Sequence, residues 1–264
     1  MPAVKTPQAE AVAPLATIDM EKLLHGDIQT AKDLLHAAES PGFFYADLRG
    51  PSCKDMLPDI EVLFALSHSY FEQSQNAKDP HFRDGIDRGY KPGKGHESFE
   101  FATTELQEKA LIFPGMLRAH EAVLARFMEQ SDKVTKTLLR SLLVSIGKPE
   151  LEATMIANPG DSGLKFISAP TSARRQDTPD TTHTDSGILT LLWCPQLSSQ
   201  IQDPHTKEWA WVEPKEGCAI VNVADALQEL TGGRLHSCVH RVLQPGDGVE
   251  ERHFLSYYLR PSKA

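Results

Sequence analysis

A chain of 264 residues, 40% hydrophobic and 24% charged, can bury a sizeable core and suits a single barrel-type domain. Its formal net charge of −9 argues against nonspecific nucleic-acid binding, which needs clustered Lys and Arg to neutralise phosphates. Charged residues interrupt every apolar stretch short of the ~18 residues a membrane span needs, and Cys53, Cys194, Cys218 and Cys238 form no CxxC pair.

The N-terminus lacks the basic-then-apolar pattern of a secretory signal, so the expectation is a water-soluble cytoplasmic protein with reduced thiols. Residues 1–14, rich in Ala and Pro, are expected to form a flexible tail, and residues 15–264 a single domain. Leu15–Asp19 suits a short strand. Asp27 is placed to cap a helix in which Ile28, Ala31, Leu34, Leu35 and Ala38 recur at helical spacing. Pro41-Gly42 stops it, Phe43-Phe44-Tyr45 suits a short strand, and a second helix is expected over Lys54–Gln75. Asp79 to His96 is full of Gly, Pro, Asp and Arg and reads as irregular. A long helical stretch should follow, broken near Pro114, with Leu117, Val123, Leu124, Phe127, Val134, Leu138, Leu142 and Ile146 on its apolar face.

From Leu164 onward the pattern changes to short apolar runs parted by turn residues: Gly187–Trp193, Gln200–Asp203, Glu208–Val212, Cys218–Val223, Ser237–Leu243 and Arg252–Leu259. Strands at this spacing after a helical half predict a β-barrel or jelly roll backed by helices.

His183-Thr184-Asp185 leads into the first of these runs. In an extended segment, side chains two apart share a face, so His183 and Asp185 converge. A second imidazole would complete the two-His, one-carboxylate facial triad of non-haem Fe(II) oxygenases, which leaves coordination positions open. The His-x-Asp signal alone is weak, because His25-Gly26-Asp27 repeats it where Asp27 is a helix cap. For the third ligand, spacing does not choose among His236, His240 and His253.

Over nearly its whole length the chain resembles the isopenicillin N synthase-like branch of 2-oxoglutarate/Fe(II) dioxygenases. The resemblance is carried by Ile18-Asp19, Gly42-Phe43-Phe44-Tyr45, Gly89-Tyr90 and His183-Thr184-Asp185-Ser186-Gly187. It continues, in order, through Trp209-x-x-Val212-x-Pro214, Val221-Asn222-x-x-Asp225-x-Leu227, Leu230-Thr231-x-Gly233 and Ser237-x-x-His240-Arg241-Val242. It implies a mainly β fold with α, a double-stranded β-helix (jelly-roll) core flanked by helices, and His183, Asp185 and His240 as metal ligands. It also implies Fe(II) as cofactor, 2-oxoglutarate and O2 as cosubstrates, and Arg252 as the partner of the distal 2-oxoglutarate carboxylate. A guanidinium suits that role because it grips a carboxylate with two parallel hydrogen bonds.

Two positions depart from the family. Arg252-His253-Phe254 replaces Arg-x-Ser, and Ala169 stands where a tyrosine is usual. Ser256, two places on, is the next hydroxyl along the strand, and Lys165 and Ser168 are the candidates to compensate at the cosubstrate. The expected activity is hydroxylation, desaturation or ring closure of a small molecule, in keeping with secondary metabolism. An Fe(II) oxidase that dispenses with 2-oxoglutarate and a non-catalytic binding domain on the same fold are the competing readings. Pocket walls are expected from Asp79–Phe101, Ser168–Thr182 and the C-terminal strand.

Overall fold

The computed structural model describes residues 11–93, 96–108, 113–156, 161–170, 181–243, 245, 247, 249 and 251–261. The first elements are β1 (Thr17–Asp19), α1 (Met20–Leu24), α2 (Ile28–Glu39), β2 (Phe43–Asp47), α3 (Met56–Phe71) and α4 (Gln75–Lys78). Asp27 caps α2 as expected: its carboxylate accepts from the Thr30 amide at 2.7 Å, satisfying one of the free donors of the first turn. The α2–β2 turn needs Gly42, with φ of 86°, because a Cβ there would lie 1.9 Å from the carbonyl oxygen of His236.

Next come β3 (Gly89–Lys91), β4 (Glu97–Ala102), α5 (Thr103–Glu108), α6 (Gly115–Arg118), α7 (Glu121–Ser145) and α8 (Leu151–Ile156). The expected helical stretch after His96 therefore begins with a strand. In β4 the residues alternate Ser98, Phe99, Glu100, Phe101, and all four are buried, so a charged interior position masks the period of two. The long helix α7 matches its apolar stripe, with Leu124, Phe127, Val134, Leu138 and Leu142 buried.

The second half holds β5 (Gly163–Pro170), β6 (Leu189–Trp193), β7 (Ser199–Gln202), β8 (Trp209–Val212), β9 (Cys218–Val223), α9 (Asp225–Leu230), β10 (His240–Val242) and β11 (Glu251–Leu259). An eight-stranded sheet runs β1-β2-β9-β6-β11-β5-β4-β3, and a three-stranded sheet runs β10-β7-β8. The smaller sheet is lengthened by an antiparallel bridge between His183 and His240. The two sheets face each other across a cluster of Phe43, Tyr45 and Ile220 against Ile201, Val212 and Cys238. Helices cover the other side of the large sheet, where Leu255, Tyr257 and Leu259 join Leu138, Leu142 and Leu63 in the main core. This is the expected jelly roll flanked by helices.

The tail expectation fails at its inner end. Ala13 is 6% exposed, and residues 11 and 13 exchange backbone hydrogen bonds of 2.8 Å with Trp211, so this segment adds an edge to β8. The rest of the expected tail, residues 1–10, lies outside the described residues. Among the described residues no helix is long and apolar enough to cross a membrane, and all four cysteines are free.

Candidate metal centre and cosubstrate slot

The segment carrying His183 and Asp185 crosses from one sheet to the other. His183 and His240 exchange both backbone hydrogen bonds at 2.9 Å, and the chain then bends through residues 186–188 into β6 of the large sheet. That crossing brings one carboxylate and two imidazoles together. Asp185 Oδ1 lies 3.7 Å from His183 Nε2 and 3.8 Å from His240 Nε2, and the three ligand atoms all fall within 4.8 Å of one another. The alternatives left open by spacing separate here: His236 is not in this group, and His253 belongs to another.

Each of these groups is held by the atom that faces away from the cluster. The Nδ1 atoms of His183 and His240 lie against the carbonyls of Thr181 and Cys238, which leaves both Nε2 lone pairs free. Asp185 Oδ2 accepts from Thr190 Oγ1 at 2.7 Å and from Asn222 Nδ2 at 2.9 Å, leaving Oδ1 free. Burial opposes the charge on Asp185, but His240, these two donors and His183 outweigh it and hold the carboxyl below its usual range. Burial pushes His240 below the ordinary imidazole value, which favours the neutral, ligating form. The Phe43 ring packs edge-on against His240 at 5.3 Å and blocks that side, whereas the His183 side chain is 47% exposed. This donor set fits a divalent iron ion with open positions toward solvent.

The Val221-Asn222-x-x-Asp225 motif carries roles that the sequence does not reveal. Besides Asn222, it supplies Asp225, whose carboxylate accepts from Thr184 Oγ1 at 2.9 Å and from Ser237 Oγ at 2.7 Å. Asp225 thereby ties the chain beside Asp185 to the chain leading into His240. His96, in the expected wall segment, is held below its ordinary range by desolvation and by the nearby Lys165 and His183.

The strand pairings define the inner face beside the triad. Arg252, Phe254 and Ser256 of β11 pair with Ala169, Ile167 and Lys165 of β5, and Ser256 pairs with Leu192 of β6. Thr190, two residues from Leu192, shares that face and reaches Asp185. So Arg252, Ser256 and Lys165 all line the barrel interior. Lys165 is engaged there as counter-ion to buried Glu100, 3.6 Å away, rather than standing free for a cosubstrate. Ser256 is 2% exposed and lies beside the Tyr258 hydroxyl.

Arg252 is fully buried and already has a carboxylate. Its Nη2 donates to both oxygens of Asp247 at 2.6 Å, and its Nε donates to the carbonyl of Leu197 at 3.1 Å. Contact with Arg252 holds the Asp247 carboxyl below its usual range. The two departures from the family lie side by side below it: Ala169 and Phe254 pack in one cluster with Cys194. Against the pattern the resemblance implies, a small side chain stands on β5 and a large one on β11, an exchange of bulk between neighbours. Of the Ser168–Thr182 wall, residues 171–180 lie outside the described residues.

A jelly roll with a His–Asp–His cluster between its sheets and a buried arginine on the adjoining strand defines a non-haem iron oxygenase barrel. Residues 168–261 match the family model of the 2OG-Fe(II) oxygenase superfamily. A 2-oxoglutarate-dependent dioxygenase (frbH) of a Dothideomycetidae species is 31% identical, over 96% of this chain and 84% of that protein. Another (gloE), of Glarea lozoyensis, is 31% identical over 96% of this chain and 81% of its own length. The chain belongs to the 2OG-Fe(II) oxygenase superfamily, whose members use Fe(II), 2-oxoglutarate and O2. Its fold is that of a full-length Neurospora crassa protein crystallised in complex with 2-oxoglutarate and thymine, with a TM-score of 0.82, 23% identity, and coverage of 96% of this chain and 88% of that one.

Proposed function

We propose that His183 Nε2, Asp185 Oδ1 and His240 Nε2 hold the Fe(II) ion, and that Arg252 receives the distal carboxylate of 2-oxoglutarate after Asp247 yields it. The observation that carries the reading is the orientation of the triad: every polar atom facing away from the cluster has a partner, and the three facing inward are free to coordinate. Iron so held supplies the oxidative decarboxylation of 2-oxoglutarate by O2 and the oxidation of a substrate C–H bond. Thr190 and Asn222 keep Asp185 ionised and aimed, and Phe43 screens His240 from water.

The Asp247 carboxylate holds the guanidinium through one nitrogen, Nη2, which donates to both of its oxygens, in the place that the 2-oxoglutarate carboxylate would take. It spares a fully buried guanidinium the cost of standing uncompensated between turnovers. Binding of the cosubstrate is then an exchange of one carboxylate for another.

The substrate is read as a small molecule of secondary metabolism, supported by the fungal dioxygenases the chain resembles and by the thymine held in the Neurospora structure. Residues 15–264 are read as one domain, because helices and large sheet share a single core cluster. Four free cysteines support a reducing, cytoplasmic setting.

Anaerobic titration of the Fe(II) protein with 2-oxoglutarate tests this directly. A visible charge-transfer band should appear, and iron-dependent succinate formation should follow on admitting O2. Both should fall to background in Asp185→Ala and His240→Ala. A band of undiminished strength in either variant would refute the ligand assignment.

A further inference from the structure

The outward face of β11 carries a second set of converging ligand atoms, on the opposite side of the strand from Arg252. His68 Nδ1, from the last turn of α3, and His253 Nε2 stand 3.3 Å apart. Glu251 Oε2 lies 3.5 Å from His253 Nε2 and 3.9 Å from His68 Nδ1. All three atoms belong to one potential metal-ligating group. A tetrahedral zinc ion with metal–nitrogen bonds of ~2.0–2.1 Å sets its ligand atoms about 3.3 Å apart, so the two imidazoles already have that spacing and the carboxylate is slightly wide.

The outer atoms of these groups are occupied here too. Glu72 Oε1 lies 3.3 Å from His68 Nε2, the carboxylate–imidazole contact that places the proton on Nε2 and the lone pair on Nδ1. Ser67 Oγ lies 3.5 Å from His253 Nδ1, and Ser168 Oγ donates to Glu251 Oε1 at 2.5 Å. Two imidazole nitrogens and a carboxylate oxygen therefore converge; a proton on His253 Nε2 joins the two rings by a hydrogen bond, and a divalent ion would take the place of that proton. Two carboxylates, Glu251 and Glu72, border the two imidazoles.

We propose that His68, Glu251 and His253 form a second metal site, separate from the catalytic triad, that takes a zinc-class divalent ion with water as its fourth ligand. The His68 side chain is 51% exposed and that of Glu251 36%, so the ion has a route in from solvent, while His253 at 13% forms the floor. The bound ion clamps the end of α3 to β11, across 185 residues of sequence. Glu251 and His253 flank Arg252, so the clamp fixes the stretch of strand that presents the guanidinium to the barrel interior.

The test uses the full chain carrying Asp185→Ala and His240→Ala, which silence the inner site, stripped of metal and titrated with Co2+ and then Zn2+. One equivalent of Co2+ should bind with the intense visible bands of a tetrahedral ion, and one equivalent of Zn2+ should displace it and raise Tm. In the same background Glu72→Gln should weaken Zn2+ roughly tenfold, and His68→Gln should abolish the Co2+ bands. His68 is half exposed, so its variant should keep a cooperative unfolding transition, which separates loss of the site from loss of the fold. Failure of the inner-silenced chain to bind Zn2+, or Co2+ bands that persist in His68→Gln, would overturn the proposal.

Discussion

The two ends of the proposed cosubstrate slot are organised in opposite ways. At the triad, the rear atoms of His183, Asp185 and His240 are tied to the protein and the front atoms are left free. At Arg252 the functional atoms themselves are tied, with Nη2 bound to both oxygens of Asp247. The reason lies in the charges. At the triad one carboxylate has two donors of its own and two imidazoles beside it, whereas a fully buried guanidinium requires a counter-charge. One end is preorganised for its ligand, and the other must give up a partner first.

The largest effect that probes this contrast concerns the wall beneath Arg252. Phe254→Ser should destabilise the fold by about 3 kcal/mol, since it empties a position that is 2% exposed. Ala169→Tyr alone should cost roughly 1–3 kcal/mol by overpacking. If the two positions have exchanged bulk, the double variant should be more stable than the sum of the singles by about 1 kcal/mol or more, read from urea midpoints. Strict additivity would show that the neighbouring departures are independent.

Arg252→Met should raise the 2-oxoglutarate Kd in the anaerobic titration by about 2–4 kcal/mol, or roughly 30- to 1,000-fold, with Fe(II) affinity unchanged. Asn222→Ala acts at the other end: it removes one of two donors to Asp185 Oδ2 and should lower Fe(II) affinity roughly 10- to 100-fold. An unaltered iron titration would reduce Asn222 to a packing role.

The smallest expected effect has the opposite sign. Asp247→Asn removes the competing charge, so 2-oxoglutarate should bind about tenfold more tightly, because less of the protein is held in the self-paired state. Weaker binding in this variant would instead make Asp247 a part of the productive slot.

The β-half and the grouping of His183, Asp185 and His240 are legible in the chain, for different reasons. The alternation of short apolar runs marks strands because side chains alternate faces. The choice of His240 over His236 and His253 comes from motif order, which spacing does not supply. β4 is hidden in the sequence because Glu100 faces a polar barrel interior where it meets Lys165 and Arg260, so a buried position carries a charge. Asp225 is visible as a motif letter, but its bonds to Thr184 and Ser237 join segments far apart in sequence.

What the residues settle without folding is chemical type and local geometry: a helix cap at Asp27, a strand period in β11, and a His183–Asp185 pair on one face. What only the folded chain decides is pairing. Asp247 on Arg252, Phe254 beside Ala169, and His68 opposite His253 are contacts between segments whose separation along the chain says nothing about their distance in space. Each arises because two sheets and a helix layer close around one core, and buried charges and lone pairs then take whichever partners that closure brings within reach.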